Sequence, residues 1–318
     1  MSNSDHQKPL PIIIDCDPGQ DDALMLFLAL NAPELDVKGV VACGGNVPLA
    51  RTELNCRILV EMTGRADVPV FAGCEGPMKE KLFTAEYLHG ETGIDGIEFF
   101  EPTLPKQEKH GVDFIIETLR ASSEEVTLVP TGPLTNIATA IERAPDIVPK
   151  IKQIVLMGGA CFEGGNVTPS AEFNIYVDPH AAEIVMNCGR PITMFGLDAT
   201  HQVMTNPTIV NRISQLGNRV ATASADMLDF FGQYDAAKYS AEGGPLHDPC
   251  TIAWLIDPEI FEVKQCHVAI ETQSKLTRGH TAVDFWGVTE NQPNVGWAHK
   301  VDRDRFFDLL VKRIALYP

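Results

Sequence analysis

Asp15, Asp17, Asp21 and Asp22 fall within eight consecutive residues and form the densest chemistry in the chain. Like charges at that spacing repel unless protonation, with raised pKa values, or a bound cation relieves them. A hard divalent cation takes oxygen ligands and is the stronger of the two answers. A plainer reading has Asp21 and Asp22 capping a helix and complementing its dipole. That accounts for one or two of the acids and leaves Asp15 and Asp17 unexplained. An EF-hand is excluded: counted from Asp15, its glycine and glutamate positions hold Gln20 and Leu26.

The elements that must position these acids can be read on either side. Ile12, Ile13 and Ile14 are β-branched and predict a buried strand. Pro18-Gly19 predicts a tight turn, and the apolar run 23–30 a buried helix. The acids therefore sit between the carboxyl end of a strand and the start of a helix, where open α/β sheets bind ligands. An apolar strand running into Asp-x-Asp also resembles the Mg²⁺-dependent phosphatases of the haloacid dehalogenase class. On that reading Asp15 is the nucleophile, but Gly19 stands where that class usually has Thr or Val.

The stretch Asp15-Cys16-Asp17-Pro18-Gly19-Gln20-Asp21-Asp22-Ala23 more closely resembles the N-terminal motif of the inosine/uridine-preferring nucleoside hydrolases. The resemblance continues through Thr131-Gly132-Pro133-Leu134-Thr135-Asn136, Met157-Gly158-Gly159, Ala171-Glu172-Phe173-Asn174 and His247-Asp248-Pro249. It covers almost the whole chain and is closest to the pyrimidine-preferring branch. It implies hydrolysis of the N-glycosidic bond of ribonucleosides, such as uridine and cytidine, to ribose and free base. A non-specific or purine (inosine) hydrolase is the alternative within the family. A non-catalytic nucleoside-binding protein is a third reading. The resemblance further implies Ca²⁺ held by Asp17, Asp22, Asp248 and the Thr131 carbonyl. Asp17 would take the proton of the attacking water. Asp21 and Asn174 would hold the ribose hydroxyls, and Asn166 and Glu172 the 5′-hydroxyl, with Phe173 in the same motif. Met157 would pack near the sugar, and Asn46 would orient the carboxylates.

Taken singly, several of these residues have plainer readings. Asp248 before Pro249 is an ordinary helix N-cap with proline at N1. Asn166 suits a turn, Met157 a core, and Asn46 a strand end. Asp15 fits a partner one step removed from the metal. His89 lies in a His-Gly-Glu-Thr-Gly context similar to the family's His-Gly-Glu-Ser-Gly, a resemblance on which it could reach over the pocket as part of a lid. His247 directly precedes an expected metal ligand and is the candidate acid for the departing base, because histidine can give a proton near pH 7. Gln233, Tyr234 and Tyr239 lie on the helical approach to His247 and could read a pyrimidine edge.

Composition bounds the remainder. The chain has 318 residues and a net charge of −18, which repels nucleic-acid polymers and anionic membranes. A neutral small molecule suits such a surface better. None of the eight cysteines forms a C-x-x-C pair, so free thiols in a reducing compartment are expected. Residues 1–8 are polar, and no apolar run is long enough to span a membrane, so a cytoplasmic protein is expected. A homodimer or homotetramer follows from the resemblance.

Strands are predicted at 36–42, 68–71, 126–129, 153–157 and 192–195, most ending in Gly-, Asp- or Asn-bearing turns. Helical patterns alternate with them, including 48–63, 112–121 and 207–239. Residues 74–110 show weak periodicity. Residues 263–300 are strand-like, and 302–315 form a closing amphipathic helix. This alternation predicts an α/β protein, one nucleoside-hydrolase-like domain over 1–318, with a central mostly parallel, mixed sheet flanked by helices.

Overall fold

The computed structural model describes residues 8–239 and 243–318, with the side chains of all of these except 233–239. In chain order the first half runs β1 (Leu10–Cys16), α1 (Gln20–Leu30), β2 (Leu35–Ala42), α2 (Leu49–Met62), β3 (Val70–Ala72), α3 (Glu86–His89), α4 (Gly111–Ala121), β4 (Val126–Pro130) and α5 (Thr135–Arg143). Next come β5 (Ile151–Met157), α6 (Phe173–Val177), α7 (Pro179–Met186), β6 (Ile192–Phe195), α8 (Leu197–Thr200), α9 (Pro207–Ser214) and α10 (Arg219–Tyr239). The chain closes with α11 (Pro249–Ile256), β7 (Phe261–Ile270), β8 (Thr281–Asp284), β9 (Val295–Val301) and α12 (Arg303–Ile314).

The strands form one sheet in the order β3-β2-β1-β4-β5-β6-β9-β7-β8. From β3 through β9 every neighbouring pair is parallel; β7 is antiparallel to both β9 and β8. The mostly parallel, mixed sheet expected from sequence is therefore what forms. β1 shows how it is covered. Ile12 and Ile14 enter the core shared with α1, α2, α10, α11 and α12, while Ile13 enters the opposite core with α4, α5 and α7. Successive strand side chains point to opposite faces, so a strand covered on both faces must be apolar throughout.

Chain order reverses at β1, which lies between β2 and β4. A switch point of this kind opens a crevice at the carboxyl ends of the strands. α1 leaves that crevice buried along its whole length, and the unbroken apolar run from Ala23 to Leu30 requires it. Truncating the fully buried Leu26 to Ala costs about 2–5 kcal/mol.

Two expectations need adjustment, and a third, the irregular 74–110, holds. The third strand is Val70–Ala72 rather than 68–71. The helical pattern over 207–239 divides into α9 and α10 around Gly217, whose φ of +73° belongs to the left-handed region. The stretch 74–110 holds only the short α3, which ends at His89. Among the described residues no helix is long and apolar enough to cross a membrane.

Candidate active site

β1 delivers Asp15 and Asp17 at its carboxyl end, and the turn at Pro18-Gly19 starts α1 with Asp21 and Asp22 in its first turn. Asp22 does bind back onto the turn, accepting the Gly19 N–H at 2.9 Å. Its other oxygen accepts the Thr131 hydroxyl at 2.8 Å, across from the end of β4. Asp17 Oδ2 accepts the Asn46 N–H at 2.7 Å, and the Asn46 side-chain amide donates to the Asp17 carbonyl at 3.1 Å. Backbone closes in on Asp17 from two sides. A Cβ at Gly45 would stand 1.9 Å from Asp17 Oδ2, and one at Gly132 2.6 Å from Oδ1.

Asp248 occupies the N-cap position of α11 but makes no side-chain capping bond. Its carboxylate turns instead to Asp21 and Asp22, with one oxygen of each of the three within 4.8 Å of the others. Asp17 is outside that tight group, although Asp22 is the neighbouring charge that acts most strongly on it. Asp15 is bound at 2.8 Å by the Asn136 amide, is buried, and does not line the cavity described below. Its bond to Asn136 gives Asp15 a supporting place beneath the cavity, and the phosphatase reading, which needs it as nucleophile, is not favoured.

Burial raises the pKa of every acid here. Asp15 and Asp21 are pushed up to about 7 by desolvation, with Asp22 adding to both. Asp17, Asp22 and Asp248 are raised as well, again chiefly by desolvation. Asp17 Oδ1 and Asp21 Oδ1 are buried with no hydrogen-bond partner. Oxygen ligands that are crowded, desolvated and partly unpartnered suit a divalent cation. The Thr131 carbonyl accepts the Asn174 amide at 2.7 Å and keeps a second lone pair.

Above the acids lies a cleft whose empty space, open solvent included, is ≈ 700 Å³. Most of the residues singled out in the sequence line it: Asp21, Asn46, His89, Thr131, Met157, Asn166, Glu172, Phe173, Asn174, His247 and Asp248. Asp17 and Asp22 are buried and are not among its lining residues. Gln233, Tyr234 and Tyr239 fall among residues whose side chains are outside the described set.

Several lining residues have structural bonds too. Asn174 ties two strand ends together, donating to the Thr131 carbonyl and, at 3.2 Å, to the Met157 carbonyl. Glu172 caps α6, accepting the N–H groups of Asn174 and Ile175, and also that of Gly159. Burial nonetheless pushes its pKa up to about 7. Asn166 Oδ1 accepts the Phe173 N–H at 3.0 Å, so it has the turn role as well.

Two of the lining residues are the histidines singled out in the sequence, His89 and His247. Burial lowers the pKa of His89 to about 3. It lowers that of His247 well below the usual range, with His201 and His89 adding to the effect. Both imidazoles are therefore neutral near pH 7. His247 Nδ1 is 2.7 Å from the Thr200 hydroxyl. The His89 ring stacks on Phe231 at 5.6 Å and 23°.

The sequence reading missed His201, Phe231, Tyr87, Leu88 and Val167 as lining residues. His201 had a usable signal, since it follows the Gly196-Leu197-Asp198 turn at the end of β6. Phe231 and Tyr87 had none, because helical spacing alone does not separate a pocket face from a core face.

The α/β sheet thus gathers buried acids at its switch point, beneath a cleft lined by polar and aromatic side chains. Residues 12–308 match the family described as inosine-uridine preferring nucleoside hydrolase, and the chain belongs to that family. It is accordingly a hydrolase of N-glycosyl compounds. It is 47% identical to the pyrimidine-specific ribonucleoside hydrolase RihA of Klebsiella pneumoniae, over 97% of this chain and 99% of that one. A purine-preferring ribonucleoside hydrolase from Gardnerella vaginalis has a similar structure, with TM-score 0.89 and 32% identity over 96% of this chain and 98% of that one. A plant nucleoside hydrolase superposes with TM-score 0.90 and 33% identity over 97% and 99% of the two chains.

Proposed function

We propose that this protein hydrolyses the N-glycosidic bond of ribonucleosides, prefers uridine and cytidine, and works with Ca²⁺. The observation that carries the reading is the buried acidic cluster opening into a cavity with a neutral histidine among its lining residues. Asp17, Asp22, Asp248 and the Thr131 carbonyl would hold the cation. When bound, it supplies a template for the vicinal ribose hydroxyls and makes the attacking water more acidic.

The protein's own groups do the remainder. Asp17 accepts the proton of the attacking water, with its carboxylate aimed by the Asn46 N–H. Asp21 and Asn174 hold ribose hydroxyls; Glu172 and Asn166 serve the 5′-hydroxyl, and Met157 packs on the sugar. Positive charge growing at C1′ is stabilised by the surrounding carboxylates. His247 delivers a proton to the departing base. It does so as the imidazolium, which the ring takes up when substrate binds, since burial holds the free ring neutral; Nδ1–H then donates to the Thr200 hydroxyl 2.7 Å away, and loss of the Nε2 proton returns a neutral imidazole. Protonation from a positioned group gives about 10²- to 10⁴-fold.

The base preference rests on the higher identity to a relative named pyrimidine-specific, 47% against 32% for the purine-preferring structure. The eight cysteines are free thiols, which supports a reducing, cytoplasmic setting. Ribose release from uridine, cytidine and inosine, with and without chelator, tests the proposal. A higher kcat/KM for uridine than inosine, lost on chelation and restored by Ca²⁺, is expected. Faster inosine hydrolysis overturns the pyrimidine preference, and indifference to chelator overturns the role of calcium.

A further inference from the structure

Gln20 is fully buried at the first position of α1 and does not line the cavity. Its amide grips the segment that carries His89. Nε2 lies 3.0 Å from the His89 carbonyl oxygen and 3.2 Å from that of Asp95. Oε1 lies 2.8 Å from His89 Nδ1.

That pattern admits one assignment of protons. Carbonyl oxygens only accept, so the amide NH₂ must face the two of them. Oε1 then faces the imidazole, and an acceptor at that distance requires a hydrogen on Nδ1. The opposite tautomer would set two lone pairs against each other in a buried site, where an unpaired polar group is costly. Burial keeps the imidazole neutral, so a proton on Nδ1 leaves Nε2 with a lone pair.

The ring is also held in place. A Cβ at Gly19 would stand 2.5 Å from Nδ1 and 2.6 Å from Cε1, so this edge lies against the turn. Phe231 stacks on the face. Nε2 is the polar atom left to serve the cavity that His89 lines.

We propose that Gln20 locks His89 as its Nδ1–H tautomer, so that Nε2 meets the substrate as a hydrogen-bond acceptor for a donor group of the nucleoside. Gln20 is thus a positioning residue, and His89 recognises substrate without supplying a proton to the departing base. The substrate half of the proposal rests on the nucleoside reading above. The donor is the base imino N–H or, where His89 shares it with Glu172 and Asn166, the 5′-hydroxyl; the 2′- and 3′-hydroxyls are assigned to Asp21 and Asn174.

The tautomer is measured without substrate, by ¹⁵N NMR of the histidine-labelled wild-type protein, with the His89 signals identified by their loss in His89→Leu. A protonated Nδ1 and an unprotonated Nε2 are expected; the reverse pattern overturns the lock. In Gln20→Met the two tautomers become mixed. Unchanged His89 shifts in that variant overturn the role of Gln20.

Kinetics with uridine, 3-methyluridine and 5′-deoxyuridine test the contact. Wild type loses about tenfold in kcat/KM on the analogue that lacks the donor, and His89→Leu loses this discrimination. A loss confined to 3-methyluridine places the donor on the base, and one confined to 5′-deoxyuridine places it on the sugar. Equal rates on all three substrates, or discrimination that survives in His89→Leu, overturn the contact. If uridine itself is not hydrolysed, the nucleoside reading fails while the NMR result still decides the lock.

Discussion

The acidic floor of the cavity and its aromatic wall are assembled from different material. The floor comes from the ends of β1 and β4 and the starts of α1 and α11, all tied to the central sheet. Its acids are nearly inaccessible, from 0% exposed at Asp22 to 5% at Asp21. The wall comes from α3 inside the irregular 74–110 stretch, from α10, and from the turn before α11. Tyr87 there is 54% exposed. A strand end has few ways to move, which suits a group that must meet C1′. Loop and helix-end positions can be re-cut without disturbing the sheet, which suits recognition of a base.

If floor and wall divide the work in this way, variants should separate by substrate. Asp17→Asn has the largest expected effect. Hydrolysis of uridine and of p-nitrophenyl riboside should fall together, by up to about 10⁴-fold in kcat, since both need the attacking water. A loss on uridine alone would move Asp17 out of the floor's role. His247→Ala comes next, with about 10²- to 10³-fold lost on uridine and little on p-nitrophenyl riboside, whose leaving group needs no proton. Equal loss on both substrates would mean that His247 positions sugar or metal.

Phe231→Ala should be milder. It removes the ring stacked on His89, and a rise in uridine KM of about tenfold with kcat nearly kept is expected. A fall in kcat at constant KM would assign Phe231 to the chemistry. Glu172→Gln is read in stability rather than in rate. The folded-state pKa of Glu172 is raised to about 7 from 4.5. The stability gained by holding it protonated is fully present below about 4.5 and is lost as pH rises through about 7. Wild type should therefore lose more stability than Glu172→Gln across that window, by at most about 1.4 kcal/mol per pH unit. Parallel urea-midpoint profiles for the two proteins would contradict it.

The same contrast explains what could be read from the chain. The floor was legible because its acids are contiguous and flanked by an apolar strand, a turn and an apolar helix. Met157, Glu172 and Asn174 were legible because the family resemblance joined short motifs that carry little meaning singly. The reverse pairing of β7, and the placing of β9 between β6 and β7, were not legible. Strand order there is decided by packing across the sheet, while the sequence shows only that 263–300 favours strands. The tautomer of His89 was hidden for a related reason, since Gln20 lies 69 positions away.

Gly45 and Gly132 carry a consequence for any survey of tolerated substitutions. Neither can add so much as a methyl group without meeting an oxygen of Asp17, at 1.9 and 2.6 Å. In a saturation library scored by growth on a nucleoside, both positions will therefore register as intolerant as the acids themselves. An observer ranking positions by lost fitness would place two residues without side chains inside the reaction centre. What those positions contribute is room: they are the mould in which the carboxylate is cast.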